Sequence, residues 1–338
     1  MIKEGKAEII AETPKIVSKK MGVFYNPVMR LNRTLSVLVV KSFFDRKIRI
    51  ADPLSATGVR AIRMLKEAGE KVEKVYANDY STEAVKLIRK NIEKNKIEKE
   101  KIDVSNNDAN LFLLENNGFD YIDIDPFGTP NPFLDSAVKR IARNGILAVT
   151  ATDTAALTGT FENACKRKYW AIPLRNYLMH EIGLRILIRK IQLIGCQYEK
   201  ALIPVLSYSK EHYYRIFFKC EKGKKKCDEI IKQHKFFQGK YGPIWAGKLS
   251  DTKLLQKMLE YADAETTKFL EVLKDESEIN QVGFYSMDEV AKESKKPAPK
   301  IKEILEKLKN KKIKASRTHF AGNAIKCECS LKELSSLL

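Results

Sequence analysis

The sequence predicts an α/β protein whose first half is a doubly wound, mostly parallel sheet. Short apolar runs of strand character alternate with helical periodicity. Several of those runs end in an acid or amide, at Asp52, Asn78-Asp79 and Asp125. Two further apolar runs, Leu202 to Leu206 and Tyr213 to Phe218, lie close enough in sequence to pair antiparallel.

Taken in order, Ile48 to Ala51 is the first strand, followed by a Gly-containing loop and a helix from Val59 to Lys66. Val72 to Ala77 is the second strand. Ser81 then caps a helix with Glu83 in its first turn and basic residues toward its end. Ile102 to Val104, Phe119 to Ile124 (alternating between faces) and Gly145 to Thr150 complete the parallel set, and Tyr177 to Ile191 is helical. Seven strands in all are expected.

A chain of 338 residues exceeds the usual size of one domain. The run Lys222-Gly223-Lys224-Lys225-Lys226 marks a plausible edge, giving expected domains at 1–221 and 222–338. Beyond it, helices are expected from Asp251 to Asp275, from Ser286 with a capping start, and amphipathically from Lys300 to Lys309. The last two, separated by Pro297 and Pro299, resemble a winged-helix unit.

Apolar residues make up 44% of the chain, which excludes global disorder. The net charge of +19 favours a polyanionic partner, because neutralised phosphates release counterions. No apolar run approaches a membrane span and the N-terminus has no secretory h-region, so a cytoplasmic protein is expected. Six cysteines form no C-x-x-C pair, and reduced thiols are expected.

Chemistry concentrates at the strand ends. Asp52-Pro53-Leu54-Ser55-Ala56-Thr57-Gly58 joins the first strand to the first helix and holds one glycine. A pyrophosphate needs the close approach that several glycines give; one suits a smaller ligand such as S-adenosylmethionine. Asp79 stands where a carboxylate can accept both ribose hydroxyls, and Asp108 where it can accept from the adenine amino group. Either acid alone could equally be a helix cap. Arg33 could pair with the methionine carboxylate, or be a solvated helix charge.

The sharpest signal is Asp123-Ile124-Asp125-Pro126-Phe127-Gly128-Thr129-Pro130. An apolar strand delivers Asp125 to the functional edge, and Pro126 keeps it out of helical geometry. An exocyclic base amine is a weak nucleophile because its lone pair is delocalised. A carboxylate that accepts its hydrogens sharpens the lone pair and receives the proton. Phe127, in an otherwise polar turn, would stack on an extruded base, with Phe24 of Phe24-Tyr25-Asn26-Pro27 as a second wall.

At these residues the chain resembles the archaeal and eukaryotic tRNA guanine-26 N2-dimethyltransferases. The resemblance is carried by Val23-Phe24-Tyr25-Asn26-Pro27-Val28-Met29 with Asn32-Arg33, by Leu54 to Arg60, by Ala77-Asn78-Asp79, and by Asp123 to Pro130. Gly242-Pro243-Ile244-Trp245-Ala246-Gly247 and Ser316-Arg317-Thr318-His319-Phe320 extend it over nearly the whole chain. It implies a class I methyltransferase Rossmann-like seven-stranded sheet with a C-terminal α+β, tRNA-binding domain, and two successive methyl transfers to one tRNA guanine. It also implies Asp125 as base, Phe24 and Phe127 around the guanine, and Arg33, Arg60, Asp79, Asp108 and Ala109 around S-adenosyl-L-methionine, with Arg63 a rival to Arg60. Thr34 stands where the family usually has Asp, and takes no role. The four-cysteine module of many members has no counterpart in Cys227 to Tyr241, so no zinc is expected. No stable protein partner is implied. The competing readings are a DNA-adenine or rRNA amino-methyltransferase, which usually shows an Asn/Asp-Pro-Pro-aromatic turn, and a Rossmann-winged-helix DNA-binding regulator, which needs no acid at the strand edge.

Overall fold

A computed structural model describes residues 1–11, 23 and 25–337; Phe24 lies outside them. The chain divides into two compact units, one of residues 1–153, 191–203 and 215–230, the other of 154–190, 204–214 and 231–338.

The main sheet has seven strands: β1 (Ile48–Asp52), β2 (Val72–Asn78), β3 (Ile102–Ser105), β4 (Phe119–Ile124), β5 (Ile141–Ala151), β6 (Lys200–Lys210) and β7 (Tyr213–Lys222). Their spatial order is β3-β2-β1-β4-β5-β7-β6. The pairs β1–β2, β2–β3, β1–β4 and β4–β5 are parallel. Only two residues join β6 to β7, a connection that an antiparallel pair alone permits. The order reverses between β1 and β4, so the C-terminal ends of those strands flank the crevice where such sheets take ligands.

Helices α1 (Arg30–Phe43), α2 (Val59–Glu67), α3 (Thr82–Lys94), α4 (Ala109–Glu115) and α5 (Leu134–Arg140) belong to this unit. Ser81 caps α3 by accepting from Ala84 N, as its sequence position predicts. One expectation needs correcting: β4 alternates in chemistry but all six of its residues are buried. A central strand is covered on both faces, so its polar members must find partners inside the protein. Asp120 takes Arg46 at 2.6 Å, and Asp123 takes Arg215 at 2.6 Å.

An N-terminal hairpin, Ile2–Glu4 with Ala7–Ile9, is a feature the sequence did not announce. Its Glu4 is fully buried and binds three groups: Arg33 Nε (2.7 Å), Arg63 Nη1 (2.8 Å) and the Tyr25 hydroxyl. The hairpin is thereby fastened to α1 and α2. The amide of Asn91 adds to this, donating to Ile10 O at 3.2 Å and accepting from Ile10 N at 2.7 Å.

The second unit contains α6 (Glu162–Tyr169), the start of α7 (Met179–Gln197), a hairpin of His234–Phe237 with Tyr241–Trp245, and helices at Thr252–Leu259 and Ala264–Ser277. Its end is a small α+β module. Strands Tyr285–Ser286, Ala315–Thr318 and Ala321–Cys327 form a sheet, and Met287, Val290, Ile304 and Leu308 of two helices pack on Ile325 and Cys327. The expected capping start is present, with Ser286 accepting from Glu289 N. Ser316 to Phe320 feeds a buried network rather than a surface: Thr318 and His319 both bond Glu276, and Lys326 bridges Glu276 and Glu181. Among the described residues no helix is long and apolar enough to cross a membrane.

The Glu4 network makes a prediction about acid stability. Burial opposes ionisation of Glu4, but Arg33, Tyr25 and Arg63 outweigh it and hold the carboxyl at about 2, below its ordinary 4.5. A depressed folded-state value contributes stability above pH 4.5 that is lost as pH falls toward 2. Glu4→Gln should therefore cost on the order of 3 kcal/mol at pH 7. The gap between variant and wild type should close as pH approaches 2, read from urea midpoints at several pH values. A gap independent of pH would contradict the assignment.

Candidate active site

The strands at the switch point end in the two motifs singled out from the sequence. β1 runs into Asp52–Gly58 and β4 into Asp125–Gly128. Between them opens a cavity of about 400 Å³, within the roughly 300–1,000 Å³ typical of small-molecule sites.

The first wall is a tight loop. Ser55 N donates to Asn78 O at 2.9 Å, drawing the loop over the end of β2. Ala56 is left-handed (φ 48°) and its N–H donates to Asp79 Oδ2 at 2.8 Å. Gly58 opens α2 at φ 75°, and a Cβ there would lie 3.2 Å from Ile88 Cγ2. Its single glycine is thus required by backbone angle, and a methyl there would press on the Ile88 side chain. The other oxygen of Asp79 accepts from Ser81 N at 3.0 Å, which fixes the carboxylate on the cavity wall.

Asp52, at the bottom of this loop, is buried, and its Oδ2 makes no hydrogen bond among the described residues. Burial raises its carboxyl to about 7, against the opposing pull of Arg60. An unpartnered buried oxygen on the wall of a cavity fits a ligand that brings its own donor.

The second wall is the Asp-Pro-Phe-Gly turn. Gly128, at φ 82°, ties it to the end of β5: its N–H donates to Thr152 Oγ1 at 2.6 Å and its carbonyl accepts from Thr152 N at 2.9 Å. Pro126 is buried and Phe127 is 52% exposed, an unusual state for a phenylalanine and one that leaves its ring presented to the cavity it lines. Asp125 accepts a hydrogen bond from Arg60 Nη2.

Arg60 is the junction of the site. Its Nη1 donates to Asn32 Oδ1 (2.9 Å) and Ser36 Oγ (2.8 Å) and lies 3.3 Å from Asp123 Oδ2. Asp123 in turn binds Arg215 through both oxygens, at 2.9 and 2.6 Å, and accepts from the Tyr121 hydroxyl at 2.6 Å. Arg215 also donates to Thr150 Oγ1 and Ser36 Oγ, each at 2.9 Å. Burial disfavours charge on Asp123, yet Arg215 and Arg60 hold its carboxyl below the usual range. Both arginines are buried and raised above their ordinary values by the same acids, despite desolvation.

The structure brings Arg33, Arg60, Asp79, Asp125 and Phe127 onto one cavity. Arg33 reaches it with its guanidinium already bound to Glu4 and to Asn26 O. Arg63, the rival to Arg60, is not among the lining residues; it binds Glu4, Glu67 and Thr34. Asp108 and Ala109 do not line the cavity either. Asp108 caps α4, accepting from Asn110 N (2.8 Å) and Leu111 N (3.2 Å), and Ala109 is buried in the first turn. Among the described residues no group of three or more His, Cys, Asp or Glu converges as a metal site would.

Sequence reasoning missed Glu4, Asn32, Asp123 and Arg215 as parts of the site. For the last two a signal existed: an acid and a base each sit inside an otherwise apolar strand, Phe119–Ile124 and Tyr213–Phe218. Charges so placed need partners, and which partner each takes is decided by the folded sheet. Glu4 carries no comparable signal.

Comparison with known proteins adds the following. The chain matches the family described as N2,N2-dimethylguanosine tRNA methyltransferase over residues 5–240 and 238–338. It is 40% identical to the tRNA (guanine(26)-N(2)/guanine(27)-N(2))-dimethyltransferase of Aquifex aeolicus, covering 99% of this chain and 94% of that one. It is 37% identical to the tRNA (guanine(26)-N(2))-dimethyltransferase of Methanocaldococcus jannaschii, covering 99% and 97%. Among solved structures, Trm1 from Pyrococcus horikoshii in complex with S-adenosyl-L-methionine superimposes with a TM-score of 0.89 at 33% identity, covering 99% of this chain and 98% of that one. These full-length matches agree with one another, and the chain belongs to the N2,N2-dimethylguanosine tRNA methyltransferase family.

Proposed function

We propose that this protein transfers two methyl groups in succession from S-adenosyl-L-methionine to the exocyclic N2 of guanine 26 in tRNA, in the cavity between the β1 loop and the Asp125 turn. The observation that carries the proposal is the pairing, on one cavity, of a fixed carboxylate at Asp125 with a half-exposed aromatic at Phe127. Relatives of 40% and 37% identity named for this activity support it.

S-adenosylmethionine supplies a methyl on a sulfonium and leaves as S-adenosylhomocysteine. Every other part falls to the protein. Asp79, anchored by Ala56 N and Ser81 N, keeps lone pairs for the ribose hydroxyls. Asp52, with its unpartnered oxygen, would accept from the ammonium of the methionine part. Arg33 and Arg60 lie on the wall suited to its carboxylate, and Asp108 with Ala109 at the end of β3 are assigned to the adenine. Phe127, with Phe24, would sandwich the extruded guanine. Asp125 accepts an N2 hydrogen, raising electron density on nitrogen as the N–C bond forms, and takes the proton as the methyl arrives. Arg60 keeps the carboxylate in place through this step. The second transfer repeats the first on the remaining N2 hydrogen. Residues 222–338 are assigned to holding tRNA, in keeping with the excess of 11 Lys+Arg over 5 Asp+Glu between Ser286 and Arg317.

Three measurements test this. Incubating unmodified tRNA with labelled S-adenosylmethionine and digesting it to nucleosides should yield dimethylguanosine from position 26. Label in adenosine, or none at all, would refute the proposal. Asp125→Asn should lower the transfer rate by at least about 100-fold while calorimetric affinity for S-adenosylmethionine stays unchanged; loss of affinity would make Asp125 a cofactor ligand instead. Gly58→Ala should destabilise the fold by about 1 kcal/mol or more and also weaken cofactor binding, because the new methyl presses on Ile88. Normal binding in that variant would show that the loop has slack.

A further inference from the structure

In the second unit, α6 begins after Phe161 and ends at Trp170, both exposed (61% and 50%). Between them lie the exposed bases Lys166 and Arg167. The backbone at Ile172 is bonded in both directions to Gly242, by N–H donation at 2.8 Å one way and 2.7 Å the other. That pairing seats the Tyr241–Trp245 strand against the segment leaving α6. The hairpin contributes exposed Lys235, Phe236 (54%) and Lys240.

Trp170 is the unusual member. It closes α6 in the left-handed conformation (φ 55°), which side-chain-bearing residues adopt at a cost of about 1 kcal/mol or more. Its amide donates to Lys166 O at 3.1 Å and its carbonyl accepts from Arg189 at 3.3 Å. The ammonium of Lys190, itself 6% exposed, stands 2.9 Å from the centre of the indole. One face of the ring is thus occupied by a buried cation while half the side chain remains exposed. A folding core would bury the largest apolar side chain available to it, and a purely solvated helix end would not strain its backbone to present one.

We propose that Trp170 is a stacking platform for an unpaired base of the RNA substrate, with Lys166, Arg167, Lys235 and Lys240 neutralising the flanking phosphates. Exposed aromatics set among basic side chains fit a single-stranded stretch, where every base offers a π-face and every link a charge. A cation behind the indole strengthens the platform and does not compete for its open face. The net charge of +19 supplies the complementarity to a polyanion. The surface rests on the tRNA-methyltransferase reading and locates a binding element outside the cavity that houses Asp125.

The test uses the full-length protein, an unmodified tRNA transcript and three variants. Trp170→Ala should weaken tRNA binding by about tenfold with an unchanged salt slope, and Trp170→Phe should recover most of the loss. Lys166→Ala with Arg167→Ala should flatten the slope of log affinity against log salt by about 2. The chain has two tryptophans, and Trp245 is 5% exposed. Transfer RNA should therefore quench indole emission in the wild type and not in Trp170→Phe, a readout that needs no loss of stability. Affinity for S-adenosylmethionine, the check on folding, should be the same in all four proteins. If wild type binds and methylates tRNA while Trp170→Ala binds as tightly, the platform is overturned and the catalytic proposal survives. Wild type that neither binds nor methylates tRNA would overturn both. Equal affinity for duplex DNA of the same length would reduce the surface to charge alone and overturn the stacking.

Discussion

Everything at the site depends on one buried guanidinium. Arg60 lies between the acids at the end of β4, bonded to Asp125 and 3.3 Å from Asp123, and it also donates to Asn32 and Ser36 of α1. It is the cation that the two acids share. Arg215 supplies a second cation from β7, so that Asp123 is neutralised from below and Asp125 can be held from the side. Removing Asp123 would leave the buried Arg215 without its acid, at about 3–5 kcal/mol. The network therefore couples the integrity of the sheet to the placement of the carboxylate that faces the cavity.

The fold was largely legible because its signals are local. Strand ends at Asp52, Asn78 and Ile124, the cap at Ser81 and the capped helix after Ser286 all depend on neighbours a few residues away. The Asp-Pro-Phe-Gly turn was legible for a related reason: a proline and a glycine confine the chain to few paths, and an aromatic stands out in an otherwise polar turn. Arg215 was not legible as part of the site, although a base inside an apolar strand is conspicuous. Its partner is 92 residues away, and only the sheet order, which places β5 and then β7 beside β4, brings them together. Glu4 is the harder case. A glutamate in a short N-terminal strand looks like any surface acid until the hairpin folds over α1 and α2.

The acids after the strands show how one residue type divides its labour. Asp52, Asp79, Asp108 and Asp125 follow successive strand ends in similar sequence contexts. Asp108 gives one carboxylate oxygen to the first turn of α4, while Asp79 gives one to the loop that frames the cavity and the other to Ser81 N. Asp52 keeps an oxygen without a partner, and Asp125 receives its hold from a side chain rather than from backbone. Burial and the identity of the donor, more than position in the chain, set these four acids apart. Membership of the N2,N2-dimethylguanosine tRNA methyltransferase family places that chemistry on a guanine amine.

The coupling between Arg60 and Asp125 is open to direct measurement. A double-mutant cycle with Arg60→Lys, Asp125→Asn and the pair of substitutions, read as single-turnover methyl transfer to tRNA at saturating S-adenosylmethionine, measures it. If the arginine acts by holding the carboxylate, the double variant will be no slower than Asp125→Asn alone, since there is then no carboxylate left to hold. Losses that multiply across the two substitutions would contradict this and give the residues independent roles.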